Sequence, residues 1–249
     1  MIKKRVLCFT AILSVMVLSK LQSRPQEILF ENPYKKIMLE HAARLKEELN
    51  PSSNNSDYYR SLTFANESVP TENAKVKSKL SKYLARFSFK KTGTHQMHNQ
   101  AEKYLPKIAK ILKSYGIPED FKYIPLVESG LDPRVHSYKG AGGYWQFMPA
   151  TARLYGLRIN GKVDERKDFV KSTHAAAKYL KSLYDEFGDW TLVAAAYNVG
   201  GGSLKASIRR QKKDDYYKLK LNAETASYVY KIISVKEVIE NPEMYGYNI

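Results

Sequence analysis

Five apolar residues, Leu192 to Ala196, follow one another without a break inside the stretch DWTLVAAAYNVGGG. Asp189 stands just before them, and aspartate is a favoured N-cap because its carboxylate accepts from N–H groups that the first helical turn leaves unpaired. Gly200, Gly201 and Gly202 stand just after, where glycine commonly ends a helix. The segment Trp190 to Asn198 is therefore predicted as a helix. A helix that is apolar on every side has no face to give to water, so other helices must enclose it. The rest of the chain has to supply that enclosure.

Segments with helical spacing are available to do so. Tyr104, Leu105, Ile108, Ile111, Leu112 and Tyr115 fall on one face of a helix beginning near residue 96, with Gly116 as its stop. A second helix is expected from Pro118 to Glu128, with Glu119 and Asp120 at the positive end of its dipole and Pro125 bending it. Ser172 and Thr173 announce a third, which carries Ala176, Tyr179, Leu180, Leu183 and Phe187 up to Gly188. The last runs from Ala223 to Glu240. No segment sustains the period-two alternation of a half-buried strand, so the predicted fold class is all-α. The main domain is expected at residues 96 to 249. Residues 24 to 95 read as a polar, partly helical extension, with an amphipathic stretch from Ile37 to Leu49 and then a loop at PSSNNSDYY. No chemistry is evident in that extension, and it is expected to be dispensable for chemistry.

With 249 residues, 43% of them hydrophobic, the chain can bury one core and have residues left over. The formal charge of +16 favours an anionic partner, which could be nucleic acid, a membrane surface or an acidic polymer. Zinc-ligand spacing, a Walker-type glycine loop and the aromatic RNA-binding signature are all missing, so no nucleic-acid partner is expected. Lys3, Lys4 and Arg5 precede the apolar run Val6 to Leu18, and polar residues follow at once. That is the pattern of an export signal, expected over residues 1 to 23. Its apolar run is shorter than the roughly 20 residues that cross a bilayer, so no stable transmembrane anchor is expected. Losing Lys3, Lys4, Arg5 and Lys20 with the signal would lower the charge from +16 to +12. Cys8, the only cysteine, would go too, and with it any disulfide or thiol chemistry.

Three stretches carry candidate chemistry. In the first, VESGLDPRVHS leads into GAGGYWQFMPATARLYGL, where Gly140, Gly142 and Gly143 allow a close-approach loop. Trp145, Phe147 and Met148 then set large apolar side chains beside Gln146. Sugar faces pack on apolar side chains and amides bind hydroxyls, so the mix suits a carbohydrate groove, and it suits a helical corner with core aromatics equally well. Glu128 ends the apolar run Tyr123 to Val127. A carboxyl there is costly to ionise, which raises its pKa toward what a general acid needs, whereas a solvent-facing glutamate is the plainer alternative. In the second stretch Tyr197 and Asn198 end the apolar helix, so the Tyr197 hydroxyl either reaches a cleft or is a satisfied core group. In the third, NAETASYVYKII, Glu224 and Tyr228 lie four apart on one helical face. The charged run VDERKD, residues 163 to 168, reads as a capped, salt-bridged turn.

The order of these segments, VESGLDP, GAGGYWQFMPATARLYGL, DERKDFVKSTHAAAKYL, DWTLVAAAYNVGGG and ETASYVYKI, resembles the soluble lytic transglycosylase (SLT) domain of glycoside hydrolase family 23. The likeness covers roughly residues 97 to 236 and extends to the D-type membrane-bound murein transglycosylases. It implies a lysozyme-like helical domain with Glu128, the glutamate of an ES pair, as acid and base. It assigns Ser137 to the serine after that pair, and Gln146 and Met148 to positions lining the sugar groove. Tyr197 corresponds to a tyrosine bonded to the catalytic acid, with Asn198 beside it, and Glu224 to a second acidic position at the groove. D-type members commonly carry LysM repeats after the catalytic module. This sequence runs to Ile249 without them, so glycan affinity is expected from the groove, the basic surface or residues 24 to 95.

Glycoside cleavage commonly uses two carboxylates, and the family uses one. The resemblance implies cleavage between N-acetylmuramic acid and N-acetylglucosamine, leaving 1,6-anhydro-N-acetylmuramoyl ends, by a monomer in the periplasm or cell envelope of a bacterium. No metal or cofactor is implied. The rival readings are a lysozyme-type hydrolase on the same fold and a non-catalytic glycan-binding protein.

Overall fold

The computed structural model describes residues 53–249. The expected export signal and the amphipathic stretch Ile37 to Leu49 lie outside them. The first described helix, α1 (Ser53–Ser61), occupies most of the segment read as a loop, so the Ser and Asn cluster does not break the chain there. A two-residue antiparallel hairpin, Thr63–Phe64 with Glu67–Ser68, turns through Ala65 and Asn66 at positive φ. Next comes α2 (Ala74–Phe87), capped by the Asn73 side chain on the Lys75 amide, and the short α3 (Phe89–Thr92).

The helix expected near residue 96 is α4 (Gln96–Ser114), with Gly116 at positive φ beyond its end. The segment expected as one bent helix to Glu128 is instead a 3-10 turn, Glu119–Tyr123, followed by α5 (Ile124–Ser129). Pro125 stands in the first turn of α5, where its missing N–H costs nothing, so it starts a helix rather than kinking one. After a loop come α6 (Pro149–Leu154) and α7 (Phe169–Phe187). The N-cap of α7 is Asp168, which accepts from the Lys171 amide, and Ser172 and Thr173 are buried inside the helix they were expected to announce.

The apolar segment is α8 (Trp190–Val199), capped by Asp189 on the Leu192 amide as expected. Every residue from Thr191 to Ala196 is buried, packed by α7, by α9 (Gly201–Gln211) and by α10 (Thr225–Glu240). The last of these is almost as enclosed, because α8 covers one side of it and α2 another. Val76, Leu80 and Leu84 of α2 are at most 2% exposed and belong to the same core as Val193, Ile233 and Val238. Tyr58 of α1 donates to Glu237 of α10 at 3.2 Å. The core therefore runs across residue 96, where the sequence reading placed a domain boundary. No helix among the described residues is long and apolar enough to cross a membrane.

Candidate active site

Three chain segments meet around Glu128. It stands near the end of α5, half-buried, followed by Gly130 and Leu131, both at positive φ. This reversal brings the Leu131 amide onto the Pro125 carbonyl at 3.1 Å and turns the chain away just past the carboxylate. Ser129 donates to the carbonyls of Pro125 at 3.1 Å and Tyr144 at 2.8 Å, which ties the glutamate's helix to the glycine-rich loop. From the opposite side Tyr228 of α10, itself buried, donates its hydroxyl to Glu128 Oε1 at 2.5 Å.

Burial raises the Glu128 carboxyl to about 7, the Tyr228 hydrogen bond opposes that rise, the charge of Glu224 adds to it and Lys231 opposes it. Burial and the neighbouring carboxylate push the Tyr228 phenol well above its ordinary value, so it stays a donor. Near neutral pH Glu128 therefore exchanges a proton readily while its position is fixed by a phenol that does not.

Tyr197 differs from its expected role. Its hydroxyl donates to the Trp145 carbonyl at 2.8 Å, and the bond to the carboxylate belongs to Tyr228. Tyr197 lies close enough to Glu128 for that charge, after burial, to raise its own pKa. Asn198, one residue on, donates to Glu224 Oε1 at 3.3 Å and accepts from Thr225 Oγ1 at 2.8 Å, joining the end of α8 to the start of α10. Glu224 is exposed.

The loop from Val135 to Met148 is built around a buried cation. Arg166, 6% exposed, pairs with Asp164 at 2.8 Å and donates to the carbonyls of Gly140 at 2.7 Å and Phe147 at 2.9 Å. Gly143, at φ +76, packs so closely on this segment that a Cβ would lie 2.1 Å from the Arg166 carbonyl oxygen. The charged turn read from VDERKD thus exists, with Glu165 paired to Arg158 and Lys171 at 2.7 Å each, and it also moulds the loop beside Glu128. Gln146 sits at φ +48, and its amide nitrogen donates to the carbonyls of Val135 at 2.9 Å and Gly143 at 2.8 Å. With both amide hydrogens used, only its carbonyl oxygen can serve a ligand. Ser137 accepts from the Ala141 amide at 3.0 Å, closing the loop's tip. Trp145 and Phe147, read as groove candidates, are core residues at 0% and 3% exposure, and Trp145 donates to Thr173 Oγ1. Met148, at 43%, is exposed next to Phe147, and Val135 and Tyr138 are exposed elsewhere in the loop. No group of three or more His, Cys, Asp or Glu among the described residues is arranged to hold a metal ion.

Residues 91–220 match the transglycosylase SLT domain family, about half of the chain and all the loop and helix segments just described except α10. The chain belongs to the transglycosylase SLT family. This SLT chain is 36% identical over 180 residues to membrane-bound lytic murein transglycosylase D of Escherichia coli K12, covering 70% of this chain and 39% of that protein. It is 30% identical over 162 residues to membrane-bound lytic murein transglycosylase C of Histophilus somni, covering 59% of this chain and 44% of the relative. It thus spans less than half the length of these curated relatives. Among solved structures, the 70 kDa soluble lytic transglycosylase of Escherichia coli matches at 20% identity and a TM-score of 0.47, over 67% of this chain and 29% of that one. On sequence alone Tyr228 shares a helical face with Glu224 and carries no role of its own. The signal that could have found it is its position four residues after Glu224, one turn further along the same helical face.

Proposed function

We propose that this SLT domain cleaves the glycan strands of bacterial cell wall by a lytic transglycosylase reaction, with Glu128 as acid and then base. The observation that carries the reading is the Glu128 carboxyl itself, raised to about 7 by burial and oriented by Tyr228. Its protonated form gives a proton to the glycosidic oxygen between N-acetylmuramic acid and N-acetylglucosamine, and the C1–O bond breaks. The substrate's N-acetyl group shares the positive charge that develops at C1. Glu128, now a carboxylate, takes the proton of the muramoyl 6-hydroxyl while that oxygen closes onto C1. The ring formed is 1,6-anhydro and no water is consumed. One group whose pKa lies near the working pH serves both half-reactions.

Around it, Glu224 and Asn198 border the cleft at the junction of α8 and α10, and Ser137, the Gln146 carbonyl and exposed Met148 offer polar and apolar contacts to sugar. Tyr197 holds the floor of the cleft through the Trp145 carbonyl. The bonds through Arg166 and Gln146 preorganise the loop, so little ordering is left to be done on binding. The protein works as a monomer, exported to the cell envelope by the signal at residues 1 to 23.

Digestion of purified sacculi followed by mass spectrometry of the soluble fragments tests the reaction. Muramoyl ends lighter than reducing ends by one water are the expected result. Reducing ends would make the protein a hydrolase, and no fragments at all would leave a glycan-binding protein.

A further inference from the structure

Helix α10 carries two lysines, and the structure uses them differently. Lys236 pairs with Asp120 at 3.0 Å, so its counter-ion stands in the 3-10 turn Glu119–Tyr123. Lys231 is half-buried, and among the described residues no acidic group stands within ion-pair distance of it. Half-burying an ammonium costs solvation, and no ion pair offsets that cost here.

The helical face decides which charge Lys231 can serve. At 3.6 residues per turn, Glu224, Tyr228 and Lys231 lie within about 60° of one another around α10, and Lys236 lies outside that arc. This face is turned toward α5, because Tyr228 donates from it to Glu128 Oε1. Lys231 follows Tyr228 by three residues, ~4.5 Å along the axis, a step that its flexible stem can span. Burial acts most strongly on the Glu128 carboxyl and favours its neutral form, as the Glu224 charge does, whereas the Tyr228 hydrogen bond and the Lys231 charge favour the carboxylate. From α8, Tyr197 feels the Glu128 charge in turn.

We infer that Lys231 is a positioning residue for proton transfer: its ammonium is the counter-charge of the carboxylate that Glu128 becomes once it has given up its proton. Its part in turnover rests on the reading under Proposed function. While Glu128 is protonated, Lys231 faces a neutral group. When the proton passes to the glycosidic oxygen, the negative charge left behind appears near a cation already in place. Such preorganised charge needs no rearrangement at the moment of reaction. When the 6-hydroxyl proton arrives on Glu128, the charge disappears again. Glu224 acts in the opposite sense, so α10 sets an anion and a cation on either side of the phenol that holds Glu128. A carboxylate of the wall is the other anion that Lys231 could meet, and the experiment separates the two.

Glu128 is titrated directly, by NMR of protein labelled at its glutamate carboxyl carbons, with the Glu128 signal identified by its loss in Glu128→Gln. Lys231→Met keeps much of the apolar stem and removes the charge. The Glu128 midpoint should rise by about half to one pH unit, roughly a three- to tenfold change in its ionisation equilibrium. Lys231→Gln, a second neutral side chain, should raise it similarly and keeps the result readable if methionine disturbs folding. Lys231→Arg should leave the midpoint close to that of the unaltered protein, and Glu224→Gln should lower it. An unmoved midpoint in both neutral variants, or an equal rise in Lys231→Arg, would overturn the inference. Turnover of sacculi is read alongside. The alkaline limb of the pH–rate profile should move with the midpoint while KM stays in place. A raised KM with an unmoved midpoint would also overturn the inference and assign Lys231 to carboxylates of the wall. If the midpoint moves but the unaltered protein cleaves no sacculi, the proposed reaction fails and the charge link between Lys231 and Glu128 stands.

Discussion

Two phenols stand near Glu128, and only one of them donates to it. Replacing Tyr228 by Phe removes a hydrogen bond to the charged form of the carboxylate, a bond that contributes roughly 1.5–3 kcal/mol. The Glu128 pKa should therefore rise above about 7, and the alkaline limb of the pH–rate profile should move to higher pH. Turnover at neutral pH should fall about tenfold or more, because the carboxylate also loses its orientation. Replacing Tyr197 by Phe removes a neutral bond to the Trp145 carbonyl, so it should cost roughly 0.5–1.5 kcal/mol of stability and leave the alkaline limb in place. Matched pH–rate profiles of the two variants check this, and a shift in the Tyr197 variant alone would reverse the assignment. The distinction was not legible in sequence. Both tyrosines lie in strongly apolar helices, and which hydroxyl arrives at a carboxylate on a third segment depends on how α8 and α10 are rotated against α5. Glu128 was singled out by the ES pair of the family resemblance, because the apolar run before it fits a solvent-facing glutamate at least as well when taken alone.

At the scale of elements, the segments with strong local signals formed where expected. Asp189 caps α8, five consecutive apolar residues bury it, and Gly188 and Gly200 bound the helices on either side. Boundaries that depend on competing signals moved. Asp168 rather than Ser172 caps α7, because Thr173 is instead used inside, accepting from Trp145 and donating to the Phe169 carbonyl. The larger difference concerns α2, whose sequence is polar enough to read as an extension although Val76, Leu80 and Leu84 complete the enclosure of α10. That partnership joins segments about 150 residues apart, beyond the reach of periodicity. Leu80→Ala should consequently destabilise the whole domain by roughly 2–5 kcal/mol, as a buried leucine does elsewhere in a shared core. Chemical denaturation reads the effect. A loss under about 0.5 kcal/mol, the range of ordinary surface substitutions, would show α2 to be an extension outside the core, as its polar composition suggested.

For the whole molecule, the same burial that suits Glu128 for proton transfer works against folding. Its folded pKa, about 7, lies above the ordinary value of 4.5. Below pH 4.5 the carboxyl is neutral in folded and unfolded chains alike and contributes no penalty. As pH rises from there the unfolded chain ionises first, and the penalty is complete above about 7. Glu128→Gln, which has no charge to bury, should therefore be more stable than the unaltered protein above neutral pH by about 1–3 kcal/mol and indistinguishable from it near pH 4. Thermal unfolding at the two pH values measures this. Activity is where the single-carboxylate account is most exposed, since Glu224 is the second acid whose charge reaches Glu128. Turnover of sacculi by Glu128→Gln and by Glu224→Gln, measured side by side, tests it directly. If one carboxyl serves both half-reactions, the Glu128 variant should lose more than the roughly hundred- to ten-thousandfold of a single acid or base role. The Glu224 variant should keep measurable turnover. Equal inactivity of the two would contradict the account, because it would mean that a second carboxylate takes part in the chemistry.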